Sequence, residues 1–519
     1  MGEISSAASG QNASGQESLS KRNLWAFSLG GIGRDMCEAL WSGFLMTFVI
    51  YTKSLTASQF AAISMLAVAA RVLNVICDPV MGNILEVTRT RWGKFKPWIT
   101  IGMICSSLVF YISFSNTLGG WSYVALFGVM YFTFSIVFSM IDISSWGMLP
   151  SLAVKKEDRD LLTSRTVLLS GIGAGAVWLI VPVFTVGDLV IGGNALTAYS
   201  TIVKVFCAFF IGMQMITLIG VKEKPLPPKG NVNTVSIKTI IKTVRNNDQL
   251  MWCILIFFLN SVASGILNSA LSTSYLYFEF GYNGMLITVF MALGAAATGL
   301  VMLFFTPISK RFSRQWLMRA ATVSAVAGYA IILLAGLFMP KGPLILNMFS
   351  FKFIVLMFGN LFAFAGQNTG FLILMICIAN TVEYNEWKTG DRAEGIIFSM
   401  RPLITKLGYA AIQFIVMCTF LLTGVRDFTN GISDLENAAE QGLITEIQKS
   451  DMIKSLLETV PGGKSAALLA CMTVIPAILA YGTYYFYKKR YTIDEESYDR
   501  MLEEISNKKA ENTHFAEKG

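Results

Sequence analysis

Long apolar blocks constrain this chain more than any other feature. They lie at roughly 25–51, 58–86, 98–116, 120–150, 167–187, 197–220, 250–276, 284–307, 316–338, 349–382, 395–424 and 465–487. A helix needs about twenty apolar residues to cross roughly 30 Å of hydrocarbon at 1.5 Å per residue, and most of these blocks reach that length. Open strands would leave backbone N–H and C=O groups unpaired in lipid, so the blocks are read as helices. The expected fold is an all-α membrane protein of about 12 transmembrane helices. Composition agrees: 54% of residues are hydrophobic and 14% charged, whereas soluble chains carry about a quarter charged residues.

Basic residues fix the expected orientation, because short cytoplasmic loops carry the excess of Lys and Arg. Alternate loops hold Arg89, Arg91, Lys94 and Lys96, then Lys155, Lys156 and Arg159, then Lys222 and Lys224, then Lys310, Arg311 and Arg314. The opposite loops, 115–120 and 281–284, are almost uncharged, which predicts that both termini are cytoplasmic. This bias accounts for the net charge of +8 and leaves no need for a nucleic-acid partner. Residues 1–24 read as a disordered tail, without the apolar segment of a signal peptide.

All eight cysteines fall in predicted spans and read as small hydrophobes, with no disulfide framework expected. The single histidine, His514, lies in the C-terminal tail, which excludes an intramembrane histidine relay or histidine metal site.

The chain divides into a first half at 25–220, a proline-containing linker at 221–249, a second half at 250–487 and a tail at 488–519. Pro79 to Lys96 and Pro307 to Arg314 form a faint repeat of basic loops after a proline. Parallel repeats of this kind typify the major facilitator architecture, which places the site between two six-helix halves. Residues 425–464 are acidic and amphipathic and read as an outer loop with a short surface helix. The run Gly462, Gly463, Lys464, Ser465 looks like the end of a phosphate-binding loop, but Glu458 occupies the place of its first glycine. The expected driving force is therefore an ion gradient rather than ATP, with no cofactor and no enzymatic activity.

Charges near a bilayer centre cost at least a few kcal/mol, which marks each one as a functional candidate beside the plainer reading of an inert interhelical pair. Asp35 and Glu38 are three residues apart on one face, with Arg34 alongside. Arg71, Asn74 and Asp78 share a stripe, as do Ser139, Asp142 and Trp146. A carboxylate to accept bonds from hydroxyls and an aromatic face to cover a pyranose together suit a sugar. Arg401 and Lys406 are five apart and point about 140° away from each other, so they serve different partners. Pro402 between them removes a backbone hydrogen bond and is expected to kink the helix. Arg401 reads equally as a cavity residue or as a scaffold partner of Glu38 or another carboxylate.

Three stretches carry a family resemblance: Gly33-Arg34-Asp35; Asp78-Pro79-Val80-Met81-Gly82 through Arg91-Trp92-Gly93-Lys94-Phe95-Lys96-Pro97-Trp98; and Asn380 to Gly395. The chain resembles the glycoside–pentoside–hexuronide:cation symporters over most of its length. That resemblance implies sugar-binding positions at Asp35, Asp142, Trp146 and Arg165, with Arg34 beside them. Phe371 keeps an aromatic ring where the family's best-known member has a tryptophan. It further implies a cation site at Asp78 and Ser139, a linking role for Lys406, and cytoplasmic gates that include Arg91, Lys94, Glu383 and Arg392.

Departures from the family pattern matter. Asn74 replaces a second carboxylate found in sodium-using members, and Cys77 removes another ligand, so the expectation favours H+ over Na+. Glu38 and Arg401 stand where the best-known member is uncharged; an added arginine suits an anionic sugar, but Glu38 could neutralise it. The expected protein is a monomeric symporter in a bacterial cytoplasmic membrane. The alternatives are a same-fold carrier of a lipid or peptide, or a membrane sensor.

Overall fold

The computed structural model describes residues 19–153, 155–223, 237–340, 350–391 and 393–516. Helices α1 (Lys21–Thr52), α2 (Ala57–Val87), α3 (Lys96–Phe114), α4 (Gly120–Leu152), α5 (Lys156–Thr185) and α6 (Ala195–Gly220) come first. The short α7 (Ile237–Asn246) follows, then α8 (Asp248–Ile266), α9 (Ala270–Phe280), α10 (Gly284–Ser309), α11 (Arg314–Phe338), α12 (Phe351–Thr389) and α13 (Glu394–Thr423). Helices α14 (Arg426–Glu440), α15 (Glu446–Glu458), α16 (Gly462–Arg490) and α17 (Glu495–Ala516) complete the chain.

Among the described residues, eleven segments are long and apolar enough to cross a membrane, with α8 and α9 counted together as Asp248–Phe280. Ser269 breaks that span and caps α9 by accepting from the Leu271 amide. The expected first span falls outside the eleven although α1 has 32 residues. Arg34, Asp35 and Glu38 dilute its apolar run, so its polar content rather than its length sets it apart. Polar caps start several of the helices: Thr56 forms a capping box with Gln59 at α2, and Asn194, Asn247 and Ser313 cap α6, α8 and α11. The helix through Pro402 continues unbroken from Glu394 to Thr423.

Helix α1 packs on α5 and α6, and α11 packs on α12. Gly328 makes the second contact close: a Cβ there would lie 2.4 Å from the Ala363 amide nitrogen. Small residues at such crossings let helix backbones approach where lipid offers no hydrophobic drive for association. Across the two sets of helices, α2 meets α13 and α5 meets α10.

Beyond the α1 C-terminus, away from both chain ends, cross-contacts accumulate. The Gly284 amide donates to Val186 O at 3.1 Å, and a Cβ on Gly284 would fall 1.7 Å from Pro182 O. Tyr51 donates to Ser274 Oγ at 2.7 Å, and the Asn437 amide donates to Thr52 O at 3.0 Å.

The 425–464 segment is more than a loop with one surface helix. It forms α14 and α15, and Glu436 on α14 is 0% exposed. The Ala195 amide donates to Glu436 Oε2 at 2.7 Å, and Lys449 Nζ on α15 donates to the same oxygen at 3.1 Å and to Gly193 O at 2.8 Å. Burial pushes the Glu436 carboxyl above its ordinary range against the pull of Lys449. Lys464 spends its ammonium on Gly424 O at 2.8 Å.

Both ends of the described chain are more ordered than expected for tails. The Leu19 amide donates to Asp158 Oδ2 at 2.8 Å, and Arg22 Nε donates to Gly220 O at 2.8 Å, so residues 19–24 belong to the bundle. Residues 1–18 lie outside the described part. Helix α17 buries Met501 and Ile505, and Glu504 accepts from Trp387 Nε1 at 2.7 Å. Helix α5 begins at Lys156, eleven residues before the expected span, so Arg159 and Arg165 are helical rather than loop residues.

Replacing Glu436 with Ala strands a buried ammonium. The expected cost is about 3–5 kcal/mol, read as a lower unfolding midpoint of the detergent-purified protein. An unchanged midpoint would show that the pair does not hold α14 in place.

Candidate functional site

A central cavity enclosing about 430 Å³ of empty space, open solvent included, is lined by α1, α2, α4 and α13. Helix α4 supplies Ser135, Ser139 and Asp142 to it, and Trp146 follows four residues later; steps of three and four keep all of them on one face. Helix α1 supplies Glu38 and Trp41, three residues apart and in register with Asp35.

Arg34 organises one wall. It is 3% exposed, and its Nε donates to Asp35 Oδ1 at 2.7 Å. Its Nη1 stands 3.8 Å from Asp142 Oδ1, and its guanidinium lies 4.8 Å from the centroid of the Trp146 ring. One buried cation thus gathers the expected residues Asp35, Asp142 and Trp146 from two helices. Asp142 and Trp146 keep more than a third of their surface accessible, and Asp35 about a quarter. The wall therefore offers hydrogen-bond acceptors and an aromatic face together.

A second cluster lies beside it. Ser139 Oγ donates to Asp78 Oδ1 at 2.7 Å, and Lys406 Nζ is ion-paired with Asp78 Oδ2. Three helices, α2, α4 and α13, meet at this carboxylate. Asn74, one turn before Asp78, is 4% exposed, and its Oδ1 has no hydrogen-bond partner.

The other expected residues lie elsewhere. Arg165 does not join Asp35 and Asp142: its guanidinium lies 5.1 Å from the Trp25 ring centroid, ten residues before Asp35 on α1. Phe371 packs 5.5 Å from Phe257, and Arg401 lies 5.9 Å from the Phe371 ring. Among the described residues Arg401 makes no ion pair, and the expected alternative of pairing with Glu38 is not seen. Glu38 instead shares the cavity wall with Arg71 and Asn74.

Of the expected gate, Lys94 is 7% exposed, and its amide donates to Glu223 Oε2 at 2.8 Å. Arg91 is exposed on the same loop, Glu383 lies within α12, and Arg392 falls outside the described residues.

Arg71 is the residue that sequence reading passed over as a site residue. Its Nε donates to Tyr131 Oη at 3.2 Å, and its guanidinium lies 5.4 Å from the Tyr409 ring on α13. The signal was present, since Arg71 shares a stripe with Asn74 and Asp78. Tyr131, Tyr409 and Trp41 carried no such signal, because cavity aromatics look like lipid-facing ones in sequence. No group of three or more His, Cys, Asp or Glu able to hold a metal occurs among the described residues.

Helices gathered around a charged cavity define a multi-pass membrane protein with the major facilitator fold. Solved structures share this fold. A nucleoside transporter aligns with a TM-score of 0.56 at 11% identity over 82% of this chain and all of its own. A D-xylose-proton symporter aligns at 0.52 and 13% identity, over 82% of this chain and 98% of its own.

The chain belongs to the family described as MFS/sugar transport protein, whose model matches residues 26–450. Its relatives include the raffinose carrier protein of Pediococcus pentosaceus, 28% identical over 77% of this chain and 62% of that protein. The lactose permease of Lactobacillus helveticus is 25% identical over 94% of this chain and 72% of its own length. The isoprimeverose transporter of Lactiplantibacillus pentosus is 25% identical over 74% of this chain and 76% of its own. The chain thus spans less than two thirds of the raffinose carrier. These relatives are carriers and permeases rather than enzymes.

The geometry predicts that Asp78→Asn and Lys406→Ala are not additive. A double-mutant cycle on the unfolding free energy is expected to return about 0.5–3 kcal/mol of interaction. Additive effects would show that the pair contributes no coupling between α2 and α13.

Proposed function

We propose that this protein is a cation-coupled symporter that moves a sugar or glycoside by alternating access. The observation that carries the reading is the convergence of Arg34, Asp35, Asp142 and Trp146 within one turn of the Asp78, Ser139 and Lys406 cluster. Carboxylates whose remaining lone pairs face a cavity accept bonds from sugar hydroxyls, and the indole covers a pyranose face. The relatives named for raffinose, lactose and isoprimeverose support sugar as the substrate class. Arg401, without a carboxylate partner, and the ring of Phe371 extend the site from the second half.

Ser139 and Asp142 lie three residues apart on α4, so an ion arriving at Asp78 is sensed one turn from the sugar carboxylate. Lys406 holds Asp78 when no ion is present and is released when the ion takes its place. Binding of the two cargoes is then linked, and the linkage is reciprocal. A proton is the favoured ion, because Asn74 leaves Asp78 as the carboxylate of this cluster. Sodium is the second reading, and the unpartnered Asn74 Oδ1 favours it: with Asp78 and Ser139 it would offer the oxygen ligands a hard cation needs. Both termini face the cytoplasm in this reading, and the gates of the basic loops work at that surface.

Substrate-induced alkalinisation of the medium by de-energised cells, with and without sodium, separates the two ions. Alkalinisation that ignores sodium is expected. Sodium-dependent uptake without alkalinisation would move the assignment to sodium. Asp142→Ala is expected to abolish substrate binding in protein that still folds, and retained binding would remove the sugar-site assignment.

A further inference from the structure

Of the residues assigned to the sugar, Asp142 lines the cavity, and a second polar set on its wall is left unused. Glu38 lies three residues beyond Asp35, one turn of α1 and about 4.5 Å further along its axis. It is exposed to the cavity, and its carboxylate makes no ion pair or hydrogen bond among the described residues. Asp35, Asp78 and Asp142 differ in this respect, since each has a cation beside it.

Asn74 lines the same cavity, and its 4%-exposed side chain carries an Oδ1 that no donor reaches. Trp41, another lining residue, is stacked on Phe134 at 4.0 Å between ring centroids, and its indole Nε1 has no acceptor. Buried polar atoms without partners are costly, so a fold keeps such a group when a ligand completes it. Arg71 does not cancel the Glu38 charge by contact, being engaged with Tyr131 and Tyr409.

A carboxylate and an indole thus occur together twice, Asp142 with Trp146 on α4 and Glu38 with Trp41 on α1, and the second pair lies wholly on the cavity wall. We propose that Glu38, Asn74 and Trp41 form a second sugar subsite, so that the protein reads two linked sugar rings rather than one. The proposal rests on the sugar-symport reading above. Hydroxyls of the second ring donate to the Glu38 carboxylate and to Asn74 Oδ1, while Trp41 Nε1 donates to a ring or hydroxyl oxygen. Trp41 works by its edge, because one face is covered by Phe134. The axial offset between Asp35 and Glu38 is close to the length of one pyranose, which matches a ring joined directly to the first.

The test is equilibrium exchange in proteoliposomes holding the full chain, which needs no net ion movement. The probes are lactose, raffinose and the methyl glycosides of their component sugars, applied to wild type, Glu38→Ala, Glu38→Gln and Asn74→Ala. Hydrogen bonds to a charged group have strengths that translate to about a 10- to 100-fold loss of affinity. That loss is expected for the oligosaccharides in Glu38→Ala, with a smaller loss in Glu38→Gln and Asn74→Ala. In the two Glu38 variants the affinity for the methyl glycoside that binds wild type stays unchanged, which also serves as the control for folding.

Equal loss for one-ring and two-ring probes, or no loss for either, overturns the subsite while leaving sugar transport standing. Glu38→Gln that keeps every affinity but stops substrate-induced proton movement also overturns it, and makes Glu38 a proton carrier. A wild type that exchanges none of the probes overturns the sugar reading and this inference with it.

Discussion

A guanidinium inside a bilayer costs several kcal/mol unless anions surround it, and the architecture of the cavity follows from how Arg34 meets that requirement. The charge is buried on α1 and drawn to Asp35 on its own helix and to Asp142 on α4. Two carboxylates are thereby held where isolated ones would be too costly, and Trp146 stacks on the same cation. The groups proposed to face the sugar are by-products of solvating one arginine. Their orientation comes from ion pairing rather than from loops, and it persists as long as α1 and α4 remain packed.

The Asp78 and Lys406 pair differs from this wall. Arg34 joins helices of the first half, whereas Lys406 reaches across from α13 to α2. On the proposed mechanism a pair within one half is scaffold through the rocking motion, whereas a pair between halves is remade with each cycle. Partly exposed charges exchange partners at lower cost than buried ones, because water offsets the lost contact. The partial exposure of both side chains therefore suits a contact that an incoming ion can displace.

Much of this was legible in the sequence because intramembrane charges are rare and their helical spacing is rigid. The stripe of Ser139, Asp142 and Trp146 and the run Arg34, Asp35, Glu38 define helix faces by spacing alone, and those faces converge in the fold. Arg165 escaped this logic: it lies on α5 one helix away, and nothing in linear spacing tells whether a basic residue meets Trp25 or Asp35. The fate of Arg401 was equally hidden, since its lack of an ion pair depends on which elements surround it. The segment 425–464 was misjudged because charge there looked like solvation. Glu436 is buried, and only its pairing with Lys449 and the Ala195 amide makes that burial tolerable. Acidic composition alone cannot distinguish a solvated carboxylate from a paired one.

The distribution of cross-contacts bears on alternation. At the end away from the termini the halves are joined by backbone bonds such as Gly284 to Val186, by Tyr51 with Ser274, and by α14 and α15 against Gly193 and Ala195. At mid-membrane the Asp78 carboxylate joins them through Lys406. On the proposed mechanism, opening the far end breaks many weak bonds, while the central contact need only trade Lys406 for an ion. Most of the work of alternation would then be done away from the cargo. The ion and the sugar supply the bias through differential affinity for the two states, since a ligand shifts an equilibrium only by that difference.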